Sequence, residues 1–226
     1  MKDRFMRNLL LLGVAILTGH AMPASATPIG PSATGLTAPL KTMTFSEVAI
    51  LDGTAVTNQF APYGVTFAGL YYNPQQVTIN PTIVPPELGN FQSLAFPTPI
   101  RTFNIYFTNP VSAAVLAMYA NRDSGGTTGP QGISTFTASL GGVVQETFDA
   151  KNSQNKTDFY GFTNITFDQI TVDVGGFRNA ALIDNLQFNP IPTPEPATAL
   201  LVSVGLLGIG CCRRHPPSKT LPSTPA

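Results

Sequence analysis

The side chains able to do chemistry are few, and most of them are carboxylates. In Ala181 to Phe188 (ALIDNLQF), Asp184 shares its parity with Leu182, Leu186 and Phe188, so on a strand it points with the apolar residues. A lone buried carboxylate is very costly. Asp184 must therefore be held by backbone N–H groups at a bulge, by an arginine such as Arg101 or Arg178, or by a bound cation. Glu146, Asp149, Asp168 and Asp173 are further carboxylates. Glycoside hydrolysis needs two such groups roughly 5–10 Å apart, and sequence spacing alone brings no two of these to one cleft. Sugar binding without catalysis would use exposed rings, and Tyr63, Tyr71, Tyr72, Tyr106 and Tyr160 are the candidates. Adjacent Tyr71 and Tyr72 must lie on opposite faces of a strand, which sends one of them into the core.

The missing residues narrow the chemistry further. The histidines are His20 and His215 and the cysteines are Cys211 and Cys212, so the body has no His, Cys or Trp. That excludes Ser-His-Asp and Cys-His catalysis, zinc sites with His or Cys ligands, and disulfides within the body. No D-x-D-x-D-G calcium loop occurs. Between Thr27 and Pro190, six basic groups against ten acidic ones leave a charge of −4, with no basic run. A nucleic-acid partner is excluded, because phosphate binding needs clustered Lys and Arg.

The elements that must position these residues read as strands. Arg101 to Thr108 (RTFNIYFT) sets Phe103, Ile105 and Phe107 on one face and Thr102, Asn104 and Tyr106 on the other. Ile133 to Leu140 alternates Phe136, Ala138 and Leu140 with Thr135, Thr137 and Ser139, and Val65 and Phe67 alternate with Thr66 and Ala68. Thr135 and Thr137 are a fragment of a threonine-bearing face. Val111 to Ala120 (VSAAVLAMYA) is apolar on both parities, which favours a buried strand over a helix. In Asn164 to Val174 the apolar parity changes between Phe167 and Ile170, which predicts a β-bulge at Asp168-Gln169. Turn chemistry at Asp52-Gly53, Asn80-Pro81, Pro85-Pro86, Asn109-Pro110, Gly125-Gly126, Gly141-Gly142 and Gly175-Gly176 separates the runs, with a tight hairpin at Gly141-Gly142. Asn121 to Gly132 and Ala150 to Asp158 read as mobile polar loops. About nine strands without a helix predict an all-β, antiparallel β-sandwich of jelly-roll type over residues 42–189, after a linker at 27–41.

Both extremities read as addresses. Residues 1–26 are a signal peptide: a basic start, an apolar run from Leu9 to Gly19, and an A-x-A site at Ala24 and Ala26 for signal peptidase. Residues 190–196 are a proline-rich spacer, and 197–212 form an apolar run without charge. Sixteen helical residues cover about 24 Å against roughly 30 Å of hydrocarbon, a shortfall that local thinning and arginine snorkelling accommodate. Residues 213–226 then form a basic cytoplasmic tail, oriented by Arg213 and Arg214.

Pro194-Glu195-Pro196, the Leu/Gly-rich run and Arg213-Arg214 together resemble the PEP-CTERM sorting signal of exported bacterial proteins. The resemblance implies recognition by exosortase and a Gram-negative host that secretes polysaccharide. Localisation then runs from inner membrane and periplasm to the cell surface or extracellular matrix. The I-D-N-L strand, together with Phe45 to Asp52 (FSEVAILD), resembles jelly-roll carbohydrate-binding modules. That likeness implies structural calcium held by Glu47, Asp52 and Asp184, all oxygen donors. The combined reading is a membrane- or surface-anchored, non-catalytic β-sandwich, structural or polysaccharide-binding. A polysaccharide-active glycoside hydrolase exported by the same route is the alternative.

Overall fold

The computed structural model describes residues 26–73, 83–92, 98–120, 132–153 and 158–192. The leader with Ala24, the loop residues 121–131, Asn80-Pro81, and the tail with Pro194, Glu195, Pro196, the run 197–212, Arg213 and Arg214 lie outside the described residues. Among the described residues no helix is long and apolar enough to cross a membrane.

The body is all-β and antiparallel. Among the described residues eleven strands form one hydrogen-bonded network: β1 Thr27–Ser32, β2 Lys41–Met43, β3 Ala55–Val56, β4 Val65–Ala68, β5 Leu70–Tyr72, β6 Leu88–Gly89, β7 Thr102–Ala120, β8 Ile133–Leu140, β9 Val143–Lys151, β10 Phe159–Asp173 and β11 Ala181–Pro190. The main path runs β3-β5-β6-β11-β7-β10-β8-β9, with β1 on β10, β2 on β11 and β4 on β7. Among the described residues the only helical pieces are two 3₁₀ turns, Ala61–Tyr63 and Phe177–Asn179.

Two strands are too long for a straight path. The 19 residues of β7 would extend about 60 Å at the usual rise per residue. Instead β7 divides its length between two sets of neighbours. Thr102–Phe107 pairs with β4 and with the end of β10, while Val111–Ala120 pairs with β11 and the start of β10. The turn expected at Asn109-Pro110 is therefore corrected: the strand runs through it. Proline lacks the N–H that would continue the ladder, and its carbonyl accepts from the Ile191 N–H at 2.8 Å. In β10 the register shifts between Thr163 and Phe167 and again between Phe167 and Gln169, and Asn164 takes a positive φ of 63°. The predicted bulge is thus present, and it turns Phe167, Ile170 and Val172 to the core side together.

The bend in β10 closes the core. Phe136 on β8 lies opposite Val172, yet its ring stacks 5.3 Å from that of Tyr160, twelve residues earlier on β10. A straight strand would put those positions about 40 Å apart. The sheet must fold back over itself. Phe148 against Phe162 at 5.2 Å and Phe107 against Phe188 at 5.2 Å bridge the same interior. A second, smaller cluster of Ile83, Phe91, Val115, Ala117, Phe159, Ala180 and Leu182, with Ile29 and Leu36 against it, covers the other face of the β11-β7 region. Coverage on both faces explains why Val111 to Ala120 is apolar on both parities.

Two further expectations change. The segment read as a linker contributes β1, whose Thr27, Pro28 and Ile29 lie opposite Thr163, Phe162 and Gly161. Its prolines and glycine resemble linker composition, but an edge strand paired on one side tolerates them. The flank of the second polar loop is fixed rather than mobile. Buried Asn152 accepts from Ser134 Oγ at 2.6 Å and donates to the Gly175 carbonyl at 2.8 Å. Residues 154–157 lie outside the described residues.

Gly161, at φ +155°, sits where a Cβ would overlap the Ala114 carbonyl oxygen and the Val115 Cα. Gly161→Ala should cost about 2–3 kcal/mol and lower Tm by roughly 5–10 °C. At the tip of the β8-β9 hairpin, Gly141 has φ +56° and open space around it. Asn tolerates that conformation, so Gly141→Asn should move Tm by less than about 2 °C. Equal losses in calorimetry would contradict this placement of β10 on β7.

Candidate functional site

Where β4, the first part of β7, the end of β10, β8 and β9 lie side by side, one face is core and the other is polar. Val65, Phe67, Phe103, Ile105, Phe136, Ile170 and Val172 take the buried side. Alternation then forces their neighbours outward. The register aligns these neighbours in rows: Ala68, Asn104, Thr171, Thr137 and Thr147 in one, and Thr66, Tyr106, Gln169, the buried Ser139 and the exposed Val144 in the next. A third row holds Thr102, Asp173, Thr135 and Asp149.

Hydrogen bonds tie these rows together. Thr171 Oγ1 donates to Asn104 Oδ1 at 2.7 Å, and Gln169 Nε2 donates to both Asn104 Oδ1 (3.0 Å) and Thr171 Oγ1 (2.9 Å). Thr137 and Thr147 share a hydroxyl–hydroxyl bond of 3.2 Å. The Asn104 carboxamide oxygen takes two bonds, which leaves its amide N–H groups for water or a ligand. At the margin, Arg101 Nε pairs with Asp173 at 2.6 Å and Thr135 Oγ1 donates to Asp149 at 2.6 Å. Among the predicted tyrosines, Tyr106 lies in this face at 37% exposure, whereas Tyr72 and Tyr160 are buried. Tyr71 is half-buried, so the adjacent pair splits as its geometry requires.

Tyr63 lies elsewhere. It borders a shallow depression of about 360 Å³ lined by Leu40, Lys41, Thr42, Met43, Glu47 and Pro62. There Lys41 Nζ donates to the Tyr63 carbonyl at 3.0 Å and stands 5.7 Å from the Phe188 ring centre.

Asp184 is buried, at 2% exposure, and of the three partners considered for it, backbone N–H groups hold it. Val84 N donates to Oδ2 at 3.1 Å and Asn185 N donates to Oδ1 at 2.6 Å. The strand bulges here, with a register shift between Asp184 and Gln187 and a positive φ of 47° at Asn185. This bulge corrects the parity reading. Ile183, Leu186 and Phe188 face the main core, while Leu182 faces the smaller cluster. Asp184 alternates with Ile183 and shares the side of Leu182. Continuing the β6-β11 register from Ile183 opposite Leu88 brings Glu87 opposite Asp184. Glu87 is fully buried, and sequence reading missed it because it sits in a proline-rich stretch without periodicity.

Burial pushes the Asp184 carboxyl up to about 7; the Val84 and Asn185 N–H bonds oppose this, and repulsion from Glu87 and then Glu47 adds to it. Burial, then Asp52, Glu47 and Glu87, likewise raises the Tyr72 hydroxyl.

Among the described residues no three His, Cys, Asp or Glu side chains are grouped so as to hold a metal ion. The expected calcium ligands Glu47, Asp52 and Asp184 are not among such groups. Thr44 N donates to Glu47 Oε1 at 2.8 Å and Asn73 Nδ2 donates to Asp52 Oδ1 at 2.8 Å.

The raised Asp184 value fixes a sign. Folded protein binds a proton that the unfolded chain releases near 3.8, so this group's contribution weakens as pH rises from about 4 to about 7 and is flat above. The loss should be on the order of a few kcal/mol. In Asp184→Asn that slope should vanish. Parallel Tm-against-pH curves for the two proteins would contradict the assignment.

Residues 192–214 match the PEP-CTERM protein-sorting motif. No curated protein and no solved structure matches the chain. The chain thus carries, with Pro194, Glu195, Pro196, Arg213 and Arg214 inside the matched span, a sorting motif of the kind exosortase recognises, which marks an exported protein with a surface or extracellular destination.

Proposed function

We propose that this chain is a non-catalytic, polysaccharide-binding protein of the bacterial surface or extracellular matrix. Signal peptidase removes residues 1–26, and the run 197–212 spans the inner membrane until exosortase acts at the Pro194-Glu195-Pro196 region. A Gram-negative periplasm is the intermediate station. The folded-back sheet is read as a β-sandwich of jelly-roll type, supported by ring contacts such as Phe107 with Phe188.

The observation that carries the reading is the broad, uncharged hydroxyl and amide surface of Asn104, Thr171, Gln169, Thr137 and Thr147. Such groups hydrogen-bond in both senses, as sugar hydroxyls do. The hydrolase alternative has less support, because its candidate carboxylates are engaged singly. Asp149 accepts from Thr135, Asp173 pairs with Arg101, Asp168 accepts from the Gly141 N–H, and Glu146 accepts from the Thr147 N–H.

In an exosortase-bearing host, the wild-type chain should reach the cell surface shortened at its C-terminal side and co-sediment with extracellular polysaccharide, releasing no reducing ends. Replacing Pro194, Glu195 and Pro196 with Ala should leave the full-length chain in the inner-membrane fraction. Surface delivery of that variant would contradict the sorting step, and steady release of reducing ends by purified protein would contradict the non-catalytic reading.

A further inference from the structure

We infer that the ligand of the polar sheet face is an extended, uncharged polysaccharide lying across the strands along the row Asn104, Thr171, Thr137 and Thr147. This rests on the polysaccharide-binding reading and adds to it a location, a direction and a charge class. The row crosses β7, β10, β8 and β9 at directly opposed positions. Four positions at the usual strand spacing extend about 14 Å, the length of a few sugar units. Along a strand the outward residues alternate with core residues, so donors and acceptors recur at closer intervals across the strands than along them.

Charge sets the class of polymer. The two central rows contain no ionised side chain. At the margin Arg101 pairs with Asp173, and Asp149 lies two residues from Lys151 on β9. An anionic polymer would meet no unpaired cation in the rows and would be repelled at Asp149. A neutral chain would keep its hydroxyl groups satisfied by Thr hydroxyls and the Asn104 amide, with the Tyr106 ring, exposed at 37%, beside the row as an apolar contact.

The test is affinity electrophoresis of the full-length chain in mild detergent through gels carrying neutral polymers (laminarin, dextran, hydroxyethylcellulose) or anionic ones (alginate, polygalacturonate). At least one neutral polymer should retard the wild type, and anionic gels should not. Thr137→Lys and Tyr106→Ala should each raise the apparent Kd at least tenfold with Tm within a few degrees, while Thr137→Ser retains binding. Retardation by a neutral gel that both variants leave unchanged overturns the location while the polysaccharide-binding reading stands. Retardation by anionic gels alone overturns the charge class. Failure of the wild type on every polymer defeats the underlying reading itself.

Discussion

The architecture depends on backbone hydrogen bonding kept nearly continuous through two strands that must nonetheless bend. β7 and β10 are each longer than a compact domain of this size can hold straight, and together they carry the ladder for both halves of the sheet. Breaking either strand into separate pieces would leave buried N–H and C=O groups to be satisfied by loops. The chain instead places the bends where the ladder is cheapest to interrupt: Pro110, which has no N–H, and Asn164, which adopts a left-handed conformation more readily than most residues. Phe136, Tyr160 and Phe162 then meet across one interior, and the residues alternating with them on the end of β10, β8 and the start of β7 are left facing outward.

The periodicity of the strands was plain in the sequence, because a half-buried antiparallel strand alternates strictly. RTFNIYFT displays its buried and outward sets without ambiguity, ISTFTASL does so only as far as Ala138, after which Ser139 is buried and Leu140 half-buried, and the parity change in NITFDQITVDV predicts the bulge near Gln169. Asn109-Pro110 misled because the same dipeptide serves a turn or a bend, and only the partners of β7 distinguish the two. Thr27 to Ser32 misled for a related reason, since an edge strand can carry the glycine and prolines of a linker.

Site legibility followed the same division. That Asp184 must be buried and held was readable from its apolar neighbours, whereas which face it occupies depends on a bulge at Asn185 that composition does not announce. Glu87 was invisible, since its placement opposite Asp184 comes from β6 pairing with β11 across nearly a hundred residues of chain. The polar face was half visible: Thr135 and Thr137 could be seen on one strand, but their alignment with Thr171, Asn104 and Thr147 is a property of register. Register is set by tertiary pairing, not by any single segment.

The most direct test of the folded-back sheet is the proximity of two rings that belong to positions far apart along one path. Nuclear Overhauser spectra of the protein with selectively labelled Phe and Tyr should show cross-peaks between the rings of Phe136 and Tyr160, whose centres are 5.3 Å apart. The Tyr160 hydroxyl should also titrate near 12, raised by its burial. No cross-peak, together with a hydroxyl titrating at the ordinary tyrosine value near 10, would mean that β10 does not turn back and that the outer face described here is not formed.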